Sequence, residues 1–203
     1  DVGDQVLLCD GTGQQRVGVL TALEHDHATI TLHTDIPDTP SAAPTLPLTL
    51  CQALLKGQKL DLVVEKATEI GVSDIRLFTC SRSLGGASPE KLRRWERLAQ
   101  SATKQCQRSH VPRLHAPLPF ADMLGSIATS AQRTLFWEEA TIAFGATASP
   151  PPSSATVIIG PEGGFSATEV DVATRAGCDI RRLSSHVLRA ETAAIVAVTL
   201  SQY

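Results

Sequence analysis

The chain has 203 residues, 42% of them hydrophobic and 19% charged, the composition of a globular protein rather than of a disordered or fibrous one. Its formal net charge of −3 excludes a molecule-wide basic field for nucleic acid, so any basic face must be local. No apolar run reaches bilayer length, and five cysteines without a CxxC pair argue against a disulfide framework or a metal site and for a reducing cytoplasm.

The opening "DVGDQVLLCDGTG" lacks a basic region followed by an apolar stretch and does not read as a secretory signal. Three short strands are predicted in "DQVLLCD", "RVGVLTAL" and "ATITLHT", separated by turn residues. They define a β module over residues 1–38, and three strands are too few to close a barrel. Pro37, Pro40, Pro44 and Pro47 mark residues 39–47 as a linker. From 48 to 203, strands and helices alternate, the pattern of an α/β layer fold.

Within that part "LTLCQAL" is a strand. The helical spacing of Leu60, Val63, Val64, Ala67 and Ile70 predicts a helix closed by Gly71. "DIRLFTC" is a strand. Ser88 and Pro89 start a second helix with Leu92, Trp95, Leu98, Ala99 and Ala102 on one face. Its other face carries Arg93, Arg94, Arg97 and Lys104. "FADMLGSIA" is a short helix, "RTLFWEE" a strand, "ATASPPPSSA" a loop and "TVIIG" a strand. Ser166 and Glu169 form a capping box for a helix ending near Gly177. A strand, "DIRRLS", and a final helix, "ETAAIVAVTLSQ", apolar nearly all round and so expected to be buried, complete the chain.

"VIIGPEGGFS" contains the chemistry that needs explaining. It has neither the lysine of a phosphate loop nor the GxGxxG of a dinucleotide fold, and Glu162 would repel phosphate. A carboxylate in a glycine loop suits a ligand with positive charge or hydrogen-bond donors, such as S-adenosylmethionine; a plain tight turn before a capped helix is the alternative. The strands ending in "LFWEE", "VIIGPEGG" and "RRLSSHVLRAET" would bring three loops to one edge of a parallel sheet, where open α/β sheets place ligands.

"KGQKLDLVVEKATEIGV", "RWERLAQSATKQCQRSHVP", "IGPEGGFSATEV" and "LSSHVLRAETAA", four motifs in order from about Leu50 onward, together resemble the ribosomal RNA small subunit methyltransferase E family, a branch of the SPOUT methyltransferases. The resemblance implies an α/β SPOUT-type domain with a parallel sheet and a C-terminal trefoil knot, preceded by a PUA-like β-barrel that is incomplete in this chain. It also implies a homodimer acting on the small ribosomal subunit, with no metal and no membrane. The implied reaction is N3-methylation of a uridine in the decoding region of 16S ribosomal RNA, at position 1498, from S-adenosylmethionine. Other readings are a knotted RNA-binding module without turnover and a methyltransferase acting on transfer RNA. Where the family carries "SERS" this chain has "CSRS" at 80–83, and its "LRTET" is "LRAET" here, with Ala190 for a threonine.

On this reading Phe136, Trp137 and Glu138 form a first cofactor loop. Ile159, Gly160, Pro161, Glu162, Gly163 and Gly164 form a second, and Leu183, Ser184, Val187, Leu188 and Arg189 a third. Arg189 and Glu191 are the candidate catalytic residues: a guanidinium to stabilise charge on the uracil oxygens, and a carboxylate to take the N3 proton or orient Arg189, a role open to Glu162 as well. Arg82, Lys104, Arg108 and Arg113 are expected to hold RNA. His186 is a loop histidine with no assigned role.

Overall fold

The N-terminal segment folds as a three-stranded antiparallel sheet, β1 (Gln5–Cys9), β2 (Gln15–Leu23) and β3 (Ala28–Leu32), in that order. The computed structural model describes residues 1–33, 46–145 and 152–202. Most of the expected linker lies outside these residues; Leu46 and Pro47 already belong to the following domain, where Leu46 is buried and the Pro47 carbonyl accepts from the Ala155 amide at 3.0 Å.

That domain is built on β4 (Leu48–Ala53), whose side chains are buried on both faces, as a central strand of a parallel sheet requires. Helix α1 (Lys59–Ile70) follows and ends at Gly71, which has φ 125°. Strand β5 (Asp74–Thr79) leads to α2 (Pro89–Gln105), where the Ser88 hydroxyl accepts from the Lys91 amide at 3.4 Å. Strand β6 (Arg113–Pro119), α3 (Phe120–Ser126), β7 (Gln132–Phe136) and β8 (Ala155–Ile159) come next. Then α4 (Ala167–Arg175) starts with the predicted capping box of Ser166 and Glu169, and β9 (Asp179–Arg181) and α5 (Ala190–Gln202) end the domain.

The six strands form one sheet in the order β6-β5-β4-β8-β7-β9, with every pair parallel. Alternation along each strand sends side chains to two cores. Leu48, Leu50, Ile75, Leu77, Val157 and Ile159 pack with α1, α2 and α5 on one side. Cys51, Ala53, Phe78, Leu135 and Ile158 pack with α3, α4 and Phe165 on the other. The result is a three-layer α/β/α domain.

Two expectations need correcting. "RLHAPLP" is a strand, β6, that the sequence reading passed over because Pro117 and Pro119 argue against a ladder; proline is tolerated there because β6 is an edge strand with an irregular register opposite Arg76 and Phe78. The final helix is also not buried all round. Ala190, Ala194, Ala197 and Val198 face the core, while Leu200 is 53% exposed.

The turn between β1 and β2 bonds to the segment between α2 and β6. Thr12 makes an antiparallel bridge with His110; the Gly13 amide donates to the Ser109 carbonyl and the Val111 amide to the Gly11 carbonyl, both at 3.1 Å.

Candidate active site

Gln52, Phe136, Ile159 and Arg181 stand level at the C-terminal edge of the sheet, since Gln52 and Phe136 both pair with Ile159 and Phe136 pairs with Arg181. The loops after β7, β8 and β9 therefore start side by side, as the motifs predicted. Two of them stay paired beyond the strands. The Trp137 amide donates to the Arg181 carbonyl at 3.0 Å, the Phe144 amide to the Arg182 carbonyl at 2.9 Å, and the Arg182 amide to the Ile142 carbonyl at 2.8 Å.

Between these two loops lies a cleft lined by Phe136, Trp137, Glu138, Leu183, Ser184, Val187 and Leu188, seven of the predicted cofactor residues. Arg182, His186 and Ala193 complete the wall and were not assigned to the cofactor from sequence. The wall is mainly apolar, and its polar groups are the Glu138 carboxylate, the Arg182 guanidinium, the Ser184 hydroxyl, the His186 ring and the Trp137 indole, whose buried Nε1 has no partner among the described residues. A buried donor left without an acceptor is costly unless something else fills the role.

The glycine loop after β8 does not line this cleft; it abuts the cleft through Glu138. A Cβ at Gly164 would lie 2.4 Å from Glu138 Oε1, and Gly164 has φ +67°, so both space and backbone demand glycine there. A turn closed by the Gly164 amide on the Pro161 carbonyl at 2.9 Å shapes the loop. The fully buried Gln52 donates through Nε2 to the carbonyls of Ala53 at 3.1 Å and Gly160 at 3.4 Å.

Glu162 is not an open charge. Its Oε1 accepts from Lys59 Nζ at 2.9 Å and from the Lys56 amide at 3.1 Å, which ties the glycine loop to the turn after β4. Partial burial works to raise its pKa, but the Lys59 ammonium and the backbone amides outweigh that, and the carboxyl ionises below its ordinary value. Glu169 behaves alike. Burial opposes its ionisation, yet the amides of Ser81 and Ser166 and the Ser166 hydroxyl hold it below the ordinary range, with Ser81 N to Oε1 at 2.7 Å.

Arg189 is exposed at the start of α5 and lies outside the cleft wall. Glu191 sits in the first turn of α5, half-buried, with Oε2 lacking a partner among the described residues. The two side chains make no ion pair with each other among the described residues.

Three of the four expected RNA residues are already engaged. Arg82 Nη1 donates to the carbonyls of Gly163 at 2.8 Å and Phe165 at 3.4 Å. Arg108 donates to the carbonyls of Thr68 in the last turn of α1 and of Val72 just beyond it, and its burial lowers its pKa. Arg113 pairs with Asp74, Nε to Oδ1 at 3.3 Å. Lys104 is exposed in the last turn of α2, on the face that carries Arg93, Arg94 and Arg97. Lys56, Lys59, Ser81 and Glu169, which hold the glycine loop in place, were missed as site residues; only Glu169 had a sequence signal, its capping box.

No described helix is long and apolar enough to cross a membrane, and no group of three or more His, Cys, Asp and Glu among the described residues is arranged to hold a metal. Residues 42–202 match the family model of the RNA methyltransferase domain. The chain is 32% identical over 153 residues to the ribosomal RNA small subunit methyltransferase E of Mesomycoplasma hyopneumoniae, covering 74% of this chain and 66% of the relative. It is 34% identical over 160 residues to that of Mycobacterium bovis, covering 75% and 61%. The chain thus matches slightly less than two thirds of the length of these relatives. In structure it is similar to a Neisseria gonorrhoeae ribosomal RNA small subunit methyltransferase E bound to S-adenosyl methionine, with a TM-score of 0.88, 27% identity, and coverage of 98% of this chain and 82% of the other.

Proposed function

This chain belongs to the RNA methyltransferase domain family, and from that premise we propose that it methylates N3 of a uracil in small-subunit ribosomal RNA, with S-adenosylmethionine as donor. The observation that carries the reading is the cleft at the sheet edge. It combines apolar walls, a carboxylate set against a positive-φ glycine, and a buried indole N–H with no acceptor among the described residues. This donor set fits a ligand with an apolar ring, hydrogen-bond acceptors and a positively charged centre, and it lacks the cluster of cations that a polyphosphate requires. When bound, S-adenosylmethionine supplies an electrophilic methyl group carried on a sulfonium.

The chain's own residues have two tasks. Uracil N3 carries a proton at neutral pH and is a poor nucleophile, so the site must ease that proton away and hold the base in line. To Arg189, exposed and next in sequence to the cleft residue Leu188, we assign the task of meeting the uracil oxygens as negative charge develops on them. Glu191 Oε2, without a partner among the described residues, is the nearest carboxylate in sequence to accept the proton or to orient Arg189. A base within an RNA pair must be splayed out before its N3 edge is reachable.

We also propose a trefoil knot at the C-terminus. Supporting it, Arg182 is held against the loop after β7, and the chain then enters α5, which packs on α1, β4 and β8. Exposed Ile142 and Leu200 support a homodimer. The N-terminal sheet serves as a PUA-like RNA-binding module, with Lys104 and the basic face of α2 adding phosphate contacts, and the protein works in the cytoplasm. The rival reading, an RNA-binding module without turnover, draws on Ala190 in place of the family's threonine. Calorimetry with S-adenosylhomocysteine on wild type and on Gly163→Val tests the site. Binding by the wild type that is lost in the variant is expected, and equal binding by both removes the glycine loop from the cofactor site.

A further inference from the structure

Among the described residues the glycine loop after β8 has no ladder partner beyond Ile159, so its shape rests on its own Pro161–Gly164 turn and on the groups that grip it. We propose that Arg82 is a positioning residue for this loop, setting the cofactor site rather than binding RNA; the proposal rests on the cofactor reading above. Arg82 Nη1 reaches two carbonyls two residues apart, Gly163 at 2.8 Å and Phe165 at 3.4 Å, and so fixes the direction of the Gly163–Gly164 and Phe165–Ser166 peptide groups, which bracket Gly164. That is the residue whose Cα faces Glu138 of the cleft.

The sequence makes room for this grip. A Cβ at Gly163 would lie 3.1 Å from Arg82 Cβ and 3.4 Å from its Cδ, so the arginine stem runs close along bare backbone. Its own anchorage is fixed. The neighbouring Ser81 amide donates to Glu169 Oε1 at 2.7 Å, and the Cys80 amide to Ser83 Oγ at 3.0 Å. Because Glu169 caps the helix that follows the glycine loop, the two loops are stapled at both ends. Arg82 has no carboxylate partner among the described residues, so its charge is directed at carbonyl dipoles, and charge-assisted bonds of this kind are the stronger ones.

The test measures S-adenosylhomocysteine binding by calorimetry, and binding of a decoding-region RNA at several salt concentrations, on wild type, Arg82→Ala and Arg82→Lys. Arg82→Ala is expected to weaken S-adenosylhomocysteine by about tenfold, the order of a charge-assisted bond. Lysine should recover part of this loss, with RNA affinity and its salt slope unchanged. Gly163→Ala gives a second route: it pushes the Arg82 stem away yet keeps the charge, and should weaken S-adenosylhomocysteine without touching RNA, even if Arg82→Ala fails to fold. The proposal is overturned if both variants keep wild-type affinity for S-adenosylhomocysteine, and above all if Arg82→Ala instead lowers RNA affinity and reduces the salt slope by about one. A wild type that binds no S-adenosylhomocysteine would defeat the functional reading itself, a distinguishable result.

Discussion

Glu162 carries its charge into a glycine loop and spends it on Lys59 and the Lys56 amide. Its folded pKa lies below the ordinary 4.5, so the clasp contributes stability at neutral pH and down to 4.5, and loses it as pH falls through the lower folded value. The pair is partly exposed, with side chains 40% and 25% accessible, so its worth is that of a surface bridge, at most ~1 kcal/mol. Thermal unfolding of wild type and Glu162→Gln should therefore differ slightly at neutral pH and converge in acid; a gap that widens in acid would contradict the assignment. Gly164→Ala should cost more, about 1–2 kcal/mol from the left-handed backbone alone, with displacement of Glu138 added. Chemical denaturation reads that loss directly. Phe136, Trp137 and Glu138 sit where an apolar strand gives way to a loop, whereas Leu183, Ser184, Val187 and Leu188 were legible through the resemblance carried by "LSSHVLRAETAA". Lys59 and Arg82 were not, since their partners lie 103 and 81 residues away and only the folded sheet brings them together.

At the scale of the element, local codes proved strong where a cap or a period was present. Ser88 with Pro89, the Ser166–Glu169 box, and Gly71 each end a helix where the sequence placed it. Strand β6 escaped because its two prolines are tolerated only at an edge, and edge position is a property of the sheet, not of the segment. The packing of α1 on α2 depends on Asp61, which accepts from Trp95 Nε1 at 2.8 Å and from Arg94 Nη2 at 2.6 Å. Asp61→Ala leaves the indole of a buried tryptophan without an acceptor, and should destabilise the domain by about 1–3 kcal/mol in urea unfolding. A shift within error would mean the helices are held by apolar contact alone.

For the whole molecule, the arrangement of the two sheets depends on the turn around Gly13. This glycine has φ +116°, and a Cβ there would lie 2.4 Å from the His110 ring. Gly13→Val should spring the joint, lowering RNA affinity while leaving S-adenosylhomocysteine affinity at the wild-type value, because the cleft lies across the domain at the C-terminal edge of the sheet. Paired RNA-binding and calorimetric measurements check this. RNA binding should also weaken steeply with salt despite the net charge of −3, since the basic side chains of α2 are gathered on one face. The three N-terminal strands were visible as alternating runs; their joint to the domain was not, because "DGTG" and "SHV" carry no mark of their contact.

Loops after three neighbouring strands are proposed to hold a methyl donor against a uracil. Purified small subunits lacking the modification, incubated with this protein and S-adenosylmethionine labelled in its methyl group, test this most directly when the product is mapped by mass spectrometry. The account predicts one methyl per subunit, on N3 of a single uridine, with Arg189→Ala abolishing transfer while S-adenosylhomocysteine still binds. Label on another atom or another RNA, or no label although the cofactor binds, would contradict it.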